Sequence, residues 1–206
     1  TIYMEYYIFS DDEFGKTIYD ELLIKAKEGV KVRIIKDGIG TKIITRKRIK
    51  ELREAGVEIK TFFPSHFPVF RFGNLRANYR DHRKLCIIDS LVLYAGGFNI
   101  GKEYIGLGKL GAWRDTGARI AGEIAVDADR EFYITWNFLH KGVNLKDIDK
   151  HLRKKINSIE EHKEKFHINA MQIVSSGPNY QTRTIRDCFI NLIMGAKRSI
   201  YIETPY

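Results

Sequence analysis

The stretch His82-Arg83-Lys84-Leu85-Cys86-Ile87-Ile88-Asp89 organises this sequence, and Gly96-Gly97-Phe98-Asn99 follows it closely. The apolar run 85–88 is short, contains β-branched residues and ends at a turn signal, so it predicts a buried strand. Successive side chains on a strand point to opposite faces, which places His82 and Lys84 on the same face. We therefore expect an imidazole and an ammonium group side by side where this strand begins.

These residue types suit phosphoryl transfer through a histidine. A neutral imidazole is a nucleophile or a proton carrier near pH 7, so His82 is the candidate nucleophile. Lys84 offers a compact positive charge for a phosphate. The glycines of the second stretch allow an anion to approach the backbone, and Asn99 adds an amide donor. Each residue alone has an ordinary structural explanation, but the agreement of three spacings favours a functional site.

The pattern H-x-K-x4-D followed by G-G-x-N resembles the signature of the phospholipase D superfamily. The sequence is most similar to one branch, the bacterial cardiolipin synthases, through four stretches: 3–9 (YMEYYIF), 78–84 (NYRDHRK), 96–104 (GGFNIGKEY) and 113–116 (WRDT). The similarity extends over nearly the whole chain except about residues 141–168. It implies an α/β fold in which a phospholipase D-like mixed β-sheet is flanked by helices.

The resemblance also implies a site built from two copies of the motif. The histidine of one copy attacks the phosphodiester phosphorus to form a phosphohistidine, and the other protonates the leaving group. The implied catalytic residues are His82, Lys84, Asp89 and Asp115, and the implied substrate contacts are Asn99, Gly97 and Arg80. Asp115 matches the carboxylate that orients the histidine, although an ion pair with a neighbouring arginine is the alternative. Asp89 could instead only fix the turn after its strand.

Composition limits the possible partners. The chain has 206 residues and a net charge of +9, which suits nucleic acid, an anionic lipid surface or a phosphorylated substrate. It contains no apolar run of about 18 residues, so the sequence predicts no membrane span. The two cysteines support neither a disulfide framework nor a zinc site. We expect no metal or other cofactor, because the resemblance implies none and the sequence has no carboxylate cluster suited to Mg²⁺.

The start of the chain is repeated near its end, since 199–203 (SIYIE) matches 1–5 (TIYME). The sequence predicts a first phospholipase D-like unit over 1–140, with the motif in 77–104, and a charged, variable helical insertion over 141–168. Residues 169–206 are expected to begin a second, truncated unit, with strands at 170–174 and 199–203 around a helix at 182–197. We therefore expect the chain to be a fragment of a protein whose second motif lies beyond Tyr206.

Local signals predict the elements of the first unit. Strands are expected at 2–9, 30–35, 57–63, 84–89, 91–95 and 116–120, and helices at about 14–28, 42–55 and 123–140. A capping box at Ser10–Glu13 is expected to begin the first helix. The alternation of strand, helix and strand predicts parallel pairing in the first half of the sheet.

The resemblance implies a phosphatidyltransferase that forms cardiolipin from two phosphatidylglycerol molecules. The alternatives are another enzyme of the superfamily (a phosphatidylserine synthase, a phospholipase or a metal-independent nuclease) or an inactive structural half. The expected partners are phosphatidylglycerol, the membrane surface and the second motif-bearing half, while nucleic acid is not expected. The parent protein is expected at the bacterial cell membrane with its catalytic domain facing the cytoplasm, and the fragment itself is expected to be soluble and inactive.

Overall fold

The computed structural model describes residues 1–40, 44–63, 79–109, 111, 113–140, 145–160 and 170–204. In chain order its elements are β1 (Ile2–Tyr6), α1 (Glu13–Lys27), β2 (Val32–Asp37), α2 (Arg46–Glu54), β3 (Glu58–Phe62), β4 (Lys84–Ile88), β5 (Val92–Gly96), a short 3-10 helix (Lys102–Ile105), β6 (Gly117–Ala121), α3 (Ile124–Leu139), α4 (Leu145–Glu160) and α5 (Thr184–Gly195). Every strand and helix predicted for residues 1–140 is present, with ends shifted by a few residues.

The strands form a six-stranded mixed sheet in the order β3-β2-β1-β4-β5-β6. Helical crossovers make β1, β2 and β3 parallel, while β4, β5 and β6 each pair with their neighbour in the antiparallel direction. The predicted α/β fold with a mixed sheet between helices is confirmed. In this order the ends of β1, β2 and β5 lie at the same side of the sheet as the starts of β4 and β6.

Helices cover both faces of the sheet. Tyr3 of β1 stacks on Phe132 of α3 with ring centroids 5.1 Å apart. Its neighbour Met4 points the other way and packs with Tyr19 and Leu22 of α1. This alternation matches the period of a strand buried on both sides. Four residues of α3 are buried in the same core: Ala125, Ala128, Phe132 and Trp136.

The start of α1 differs from the prediction. Asp12, and not Ser10, is the N-cap residue, and its side chain accepts a hydrogen bond from the Gly15 N–H at 2.9 Å. The Ser10 N–H donates instead to the Ile100 carbonyl oxygen at 2.8 Å. Because this contact ties Ser10 to the loop after β5, the capping residue lies two positions later than the predicted capping box indicates.

The C-terminal segment also differs from the prediction. Residues 170–174 and 199–203 form no strand in the described structure, and the apolar side chains of α5 are exposed. A strand needs a neighbour for its backbone N–H and C=O groups, and neither segment pairs with a strand of the described sheet. By contrast, α4 lies within the predicted insertion and buries Ile148 and Leu152 against α3. None of the described helices could cross a membrane.

Candidate active site

The expected imidazole and ammonium group lie together where β1 ends and β4 begins. The His82 ring centroid is 4.8 Å from the centroid of the Tyr7 ring, and Lys84 Nζ lies 5.5 Å from the same ring. Lys84 Nζ also donates a hydrogen bond to the His82 carbonyl oxygen at 2.6 Å. The sequence did not indicate Tyr7, which follows β1 and supports both side chains.

The surroundings shift the pKa values of both groups. Partial burial and then the charge of Lys84 lower the pKa of His82, while the carboxylates of Asp81 and Asp37 act in the opposite direction. The imidazole is therefore neutral near pH 7, as a nucleophile requires. Burial lowers the pKa of Lys84 to about 8, against the charges of Asp81 and Asp115. This lysine is mostly protonated at neutral pH and loses its charge just above it.

Asp37, at the end of β2, holds the segment that leads into His82. Its carboxylate is fully buried and accepts hydrogen bonds from two N–H groups of the turn after β2. It also accepts one from the Asp81 N–H at 3.2 Å, and Arg80 Nη1 lies 3.4 Å away. Arg80, an expected substrate contact, thus bonds to Asp37 and to the Phe63 carbonyl oxygen at 3.2 Å. The sequence showed Asp37 only as part of a turn signal.

Gly97 and Asp115 lie against each other. A Cβ atom on Gly97 would be 2.5 Å from Asp115 Cγ, and one on Gly96 would be 2.5 Å from the Gly117 Cα on β6. These glycines therefore permit a close approach of the neighbouring strand and the residues before it. The expected approach of an anion to their backbone stays a prediction. Asp115 accepts a hydrogen bond from the Thr116 N–H at 2.7 Å, and its charge raises the pKa of Lys84. Its orienting role toward His82 stays a prediction.

Asn99 is buried and connects the end of β1 to the loop after β5. Its Oδ1 accepts a hydrogen bond from the Ile8 N–H at 3.0 Å, and its Nδ2 donates to the Tyr104 hydroxyl at 2.6 Å. The Tyr104 ring in turn meets Trp113 edge to face at 5.5 Å. These bonds fix the backbone beside Tyr7, so Asn99 supports the site through the protein itself. Its expected contact with substrate stays a prediction.

Asp89 is the expected catalytic residue that the structure does not bring to the others. It follows the last residue of β4, whereas His82 precedes the first, so the length of the strand separates them. Its φ of 54° places it in the left-handed region, as in a tight turn. Its side chain is more than half exposed. This placement matches the alternative in which Asp89 fixes the turn.

A cavity of about 430 Å³ opens beside His82. Its charged end is formed by the segment 80–84 and its apolar walls by side chains of β4, β5 and α3. The turn at 175–178 closes one side, so the C-terminal segment also contributes. A cavity with one cationic end and apolar walls suits an anionic group attached to an apolar body.

The chain has extensive similarity to known families. Residues 1–129 match the family model described as cardiolipin synthase, PLD-like domain. The whole chain is 44% identical to the major cardiolipin synthase ClsA of Bacillus subtilis and covers 40% of that protein. It is 42% identical to a cardiolipin synthase of Clostridium perfringens and covers 42% of that protein. The chain thus spans about 40% of the length of these curated relatives.

Solved structures give weaker similarities. The chain matches Nuc from Salmonella typhimurium, a phospholipase D family member, with a TM-score of 0.45 and 22% identity. That match covers 66% of this chain and 77% of the other. The phosphatidylserine synthase of Haemophilus influenzae gives a TM-score of 0.45 with 16% identity, covering 78% of this chain and 38% of the other.

Proposed function

This chain belongs to the cardiolipin synthase family with its phospholipase D-like domain, and from that membership we propose that it provides the first histidine motif of a phosphatidyltransferase. The enzyme joins two phosphatidylglycerol molecules into cardiolipin and releases glycerol. The observation that carries the proposal is the pair of His82 and Lys84, held together on Tyr7 at the charged end of a cavity.

In the first half of the proposed reaction, His82 is the nucleophile. Its neutral imidazole nitrogen attacks the phosphorus of one phosphatidylglycerol, and a nitrogen–phosphorus bond forms. The bond between phosphorus and the departing glycerol oxygen breaks, and that oxygen takes a proton from a second histidine. Lys84 offsets the negative charge that grows on the phosphoryl oxygens. Asp115, beside Lys84, is proposed to orient the imidazole.

In the second half, the phosphatidyl group passes from His82 to an acceptor. The terminal hydroxyl of another phosphatidylglycerol loses its proton to the second histidine and attacks phosphorus. The nitrogen–phosphorus bond breaks, and cardiolipin leaves with both histidines restored. We further propose that Arg80, Gly97 and Asn99, which shape the site through the contacts described above, also bind the substrate.

The second histidine is proposed to lie in a further motif of the same protein, packed against this chain. Two features of the C-terminal segment support that arrangement. Residues 199–203 repeat the sequence of β1 but have no strand partner in the described structure. The apolar side chains of α5 are exposed, among them Phe189 at 59% and Leu192 at 66%. A second unit would cover both.

The anionic substrate sets the proposed place of action. A net charge of +9 favours association with anionic phospholipid at a membrane surface. We propose that the natural protein works at the bacterial cell membrane, with its catalytic domain facing the cytoplasm where its lipid substrate is presented. The basic surface alone would also suit nucleic acid, so the experiment below includes DNA.

The test is to purify the natural gene product that contains this chain and incubate it with vesicles of phosphatidylglycerol. We expect equal amounts of cardiolipin and glycerol, no product from His82→Ala, and no cleavage of plasmid DNA. Release of phosphatidic acid without cardiolipin would instead show a phospholipase. DNA cleavage that falls steeply with salt, without lipid turnover, would show a nuclease and refute the proposal.

A further inference from the structure

A buried cluster of charged residues lies behind His82, on the α3 side of the sheet. Glu5 of β1 is fully buried, and its Oε1 accepts a hydrogen bond from Arg83 Nη1 at 2.9 Å. Arg83 also donates to Thr135 Oγ1 on α3 at 3.1 Å and to the Ser176 carbonyl oxygen at 3.2 Å. One guanidinium therefore ties β1, the start of β4, α3 and the C-terminal segment together.

Asp81 completes the cluster from the other side of His82. It is 3% exposed, and its Oδ1 accepts a hydrogen bond from the Arg83 N–H at 3.3 Å and lies 3.6 Å from Arg83 Nη1. Within the described residues, the second oxygens of Glu5 and Asp81, Oε2 and Oδ2, are both buried without a hydrogen-bond donor. Two donorless carboxylate oxygens in one buried cluster call for an explanation.

A proton shared between the two carboxyl groups explains why these oxygens have no other donor. An ionised carboxylate only accepts hydrogen bonds, so a bond between the side chains of Glu5 and Asp81 requires that one of them be protonated. With both ionised, one guanidinium would face two buried negative charges, and a single proton makes the cluster neutral. Burial first, and then the charge of Asp81, raise the pKa of Glu5 well above its ordinary value, while Arg83 lowers it.

The neighbouring groups do not change the number of hydrogen-bond donors available to Glu5 Oε2 and Asp81 Oδ2. From β2, Asp37 accepts a hydrogen bond from the Asp81 backbone N–H. From α3, Glu131 accepts a hydrogen bond from the Tyr180 hydroxyl. The C-terminal turn adds Asn179, whose Oδ1 lies 3.4 Å from Arg83 Nη2. None of these contacts gives a donor to the two carboxyl oxygens.

We propose that Glu5 and Asp81 share one proton between their buried carboxyl groups and that this pair, held by Arg83, is a positioning cluster for His82. The cluster grips the backbone on both sides of the histidine, since Asp81 precedes it and Arg83 follows it. It touches no reacting atom and acts through the placement of the imidazole on Tyr7. The positioning role rests on the proposed function, whereas the shared proton does not.

The shared proton can be tested without substrate. The measurement is the infrared difference spectrum in heavy water at neutral pH between the wild-type natural gene product and a carboxyl variant. The wild type should show the carbonyl band of a buried protonated carboxyl. Either Glu5→Gln or Asp81→Asn should abolish it, because the new amide donates the hydrogen bond and the remaining carboxyl ionises. Absence of the band in the wild type, or its survival in Glu5→Gln, would overturn the proposal.

The stability of the same protein gives a second, independent reading. A carboxyl whose pKa is raised by folding contributes full stability below its unfolded pKa and loses that contribution as pH rises toward the folded pKa. The melting temperature of the wild type should therefore fall relative to Glu5→Gln as pH rises above about 4. A difference that does not depend on pH would contradict a protonated Glu5.

Positioning is tested by comparing Glu5→Gln, which keeps both hydrogen bonds, with Glu5→Ala and Arg83→Lys, which do not. Glu5→Gln should keep kcat within about threefold, while the other two should lower kcat by about 10²-fold with little change in KM, since small misplacements have that effect. If Glu5→Ala does not fold, Arg83→Lys decides. Near-normal kcat in both would overturn the positioning role.

A substrate-free measurement separates this result from a failure of the proposed function. The Tyr7 ring shifts the nuclear magnetic resonance signal of the His82 Cε1–H, because the two rings lie 4.8 Å apart. We expect this shift to persist in Glu5→Gln and to be lost in Arg83→Lys. An unchanged signal in Arg83→Lys would overturn positioning even in a protein that acts on another phosphodiester.

Discussion

The strand β1 and its sequence repeat at 199–203 reach opposite environments. Tyr3 is 2% exposed, whereas Tyr201, at the matching position of the repeat, is 93% exposed. β1 lies between β2 and β4 and pairs with both, while the repeat has no strand beside it in the described structure. A β-forming sequence is therefore not enough to form a strand, because a strand is stabilised by neighbours that satisfy its backbone and cover its side chains.

The helices of the two regions differ in the same way. On α3, Phe132 and Trp136 are buried against the sheet, at 0% and 3% exposed. On α5, Phe189 and Leu192 are exposed, although both helices carry apolar residues at helical spacing. A contiguous apolar face of this kind usually marks an interaction surface. The apolar face of α3 is thus buried in a core, whereas the apolar face of α5 is an exposed surface that the proposed second unit would bury.

The largest expected effect concerns chemistry, which we assign to the first region. In the natural gene product, His82→Ala should lower cardiolipin formation on the order of 10⁴-fold or more, as for other covalent nucleophiles. His140→Ala, an exposed histidine at the end of α3, is the matched control and should keep normal activity. If the rate of cardiolipin formation by His82→Ala were within tenfold of the wild-type rate, the first region would not carry out the chemistry.

The next effect concerns the two apolar faces directly. In the 206-residue chain, Phe132→Ala should lower the free energy of unfolding by about 3–5 kcal/mol, because it leaves a cavity in the core. Phe189→Ala should change it by no more than about 0.5 kcal/mol, because that ring is exposed. Urea unfolding measures both. In the natural gene product, Phe189→Ala should lower the free energy of unfolding by an amount closer to that for Phe132→Ala. If Phe189→Ala has the same small effect in the 206-residue chain and in the natural gene product, α5 is not covered by a second unit.

A smaller effect concerns the pH range of the first region. Activity should fall as pH rises through about 8, because Lys84 has a pKa of about 8 and binds phosphate only when protonated. On the acidic side, activity should rise with pH at an apparent pKa below the ordinary pKa of histidine, because the pKa of His82 is lowered. The test is the pH dependence of kcat/KM.

Lys84→Arg retains its charge and should move the alkaline limit upward, at a reduced maximal rate. The control is Lys31→Arg, since Lys31 is exposed and precedes β2 at the far end of the sheet. This control should leave both limits unchanged. An alkaline limit that stays in place in Lys84→Arg would assign it to another group.

The sequence predicted the parts of the fold and site that depend on local spacing. The apolar run 85–88 identified β4, and the spacing of His82 and Lys84 placed both on one side of it. The sequence alone could not identify the role of Asp37 or the cluster of Glu5 with Arg83. Those contacts depend on which strands become neighbours in the sheet, and residues far apart in sequence meet only after the sheet has formed.

Tertiary contacts also explain where the structure differs from the predictions made from sequence. The sequence at 199–203 has strand character as strong as that of β1, but its structure depends on a partner that local pattern does not include. The N-cap of α1 was misassigned to Ser10 because a tertiary contact of Ser10 with Ile100 overrides a good capping box. The contact of Gly97 with Asp115 was missed because the spacing of the glycine pair cannot show which residue occupies the space beside it.

The most direct test of the proposed mechanism is to locate the covalent intermediate. The natural gene product is mixed briefly with phosphatidylglycerol, quenched at alkaline pH to preserve phosphohistidine, and analysed by mass spectrometry of its peptides. We expect a phosphatidyl group on His82 that is absent from His82→Ala. An adduct on a histidine outside this chain, with His82 unmodified, would contradict the proposed mechanism and make His82 the proton donor instead.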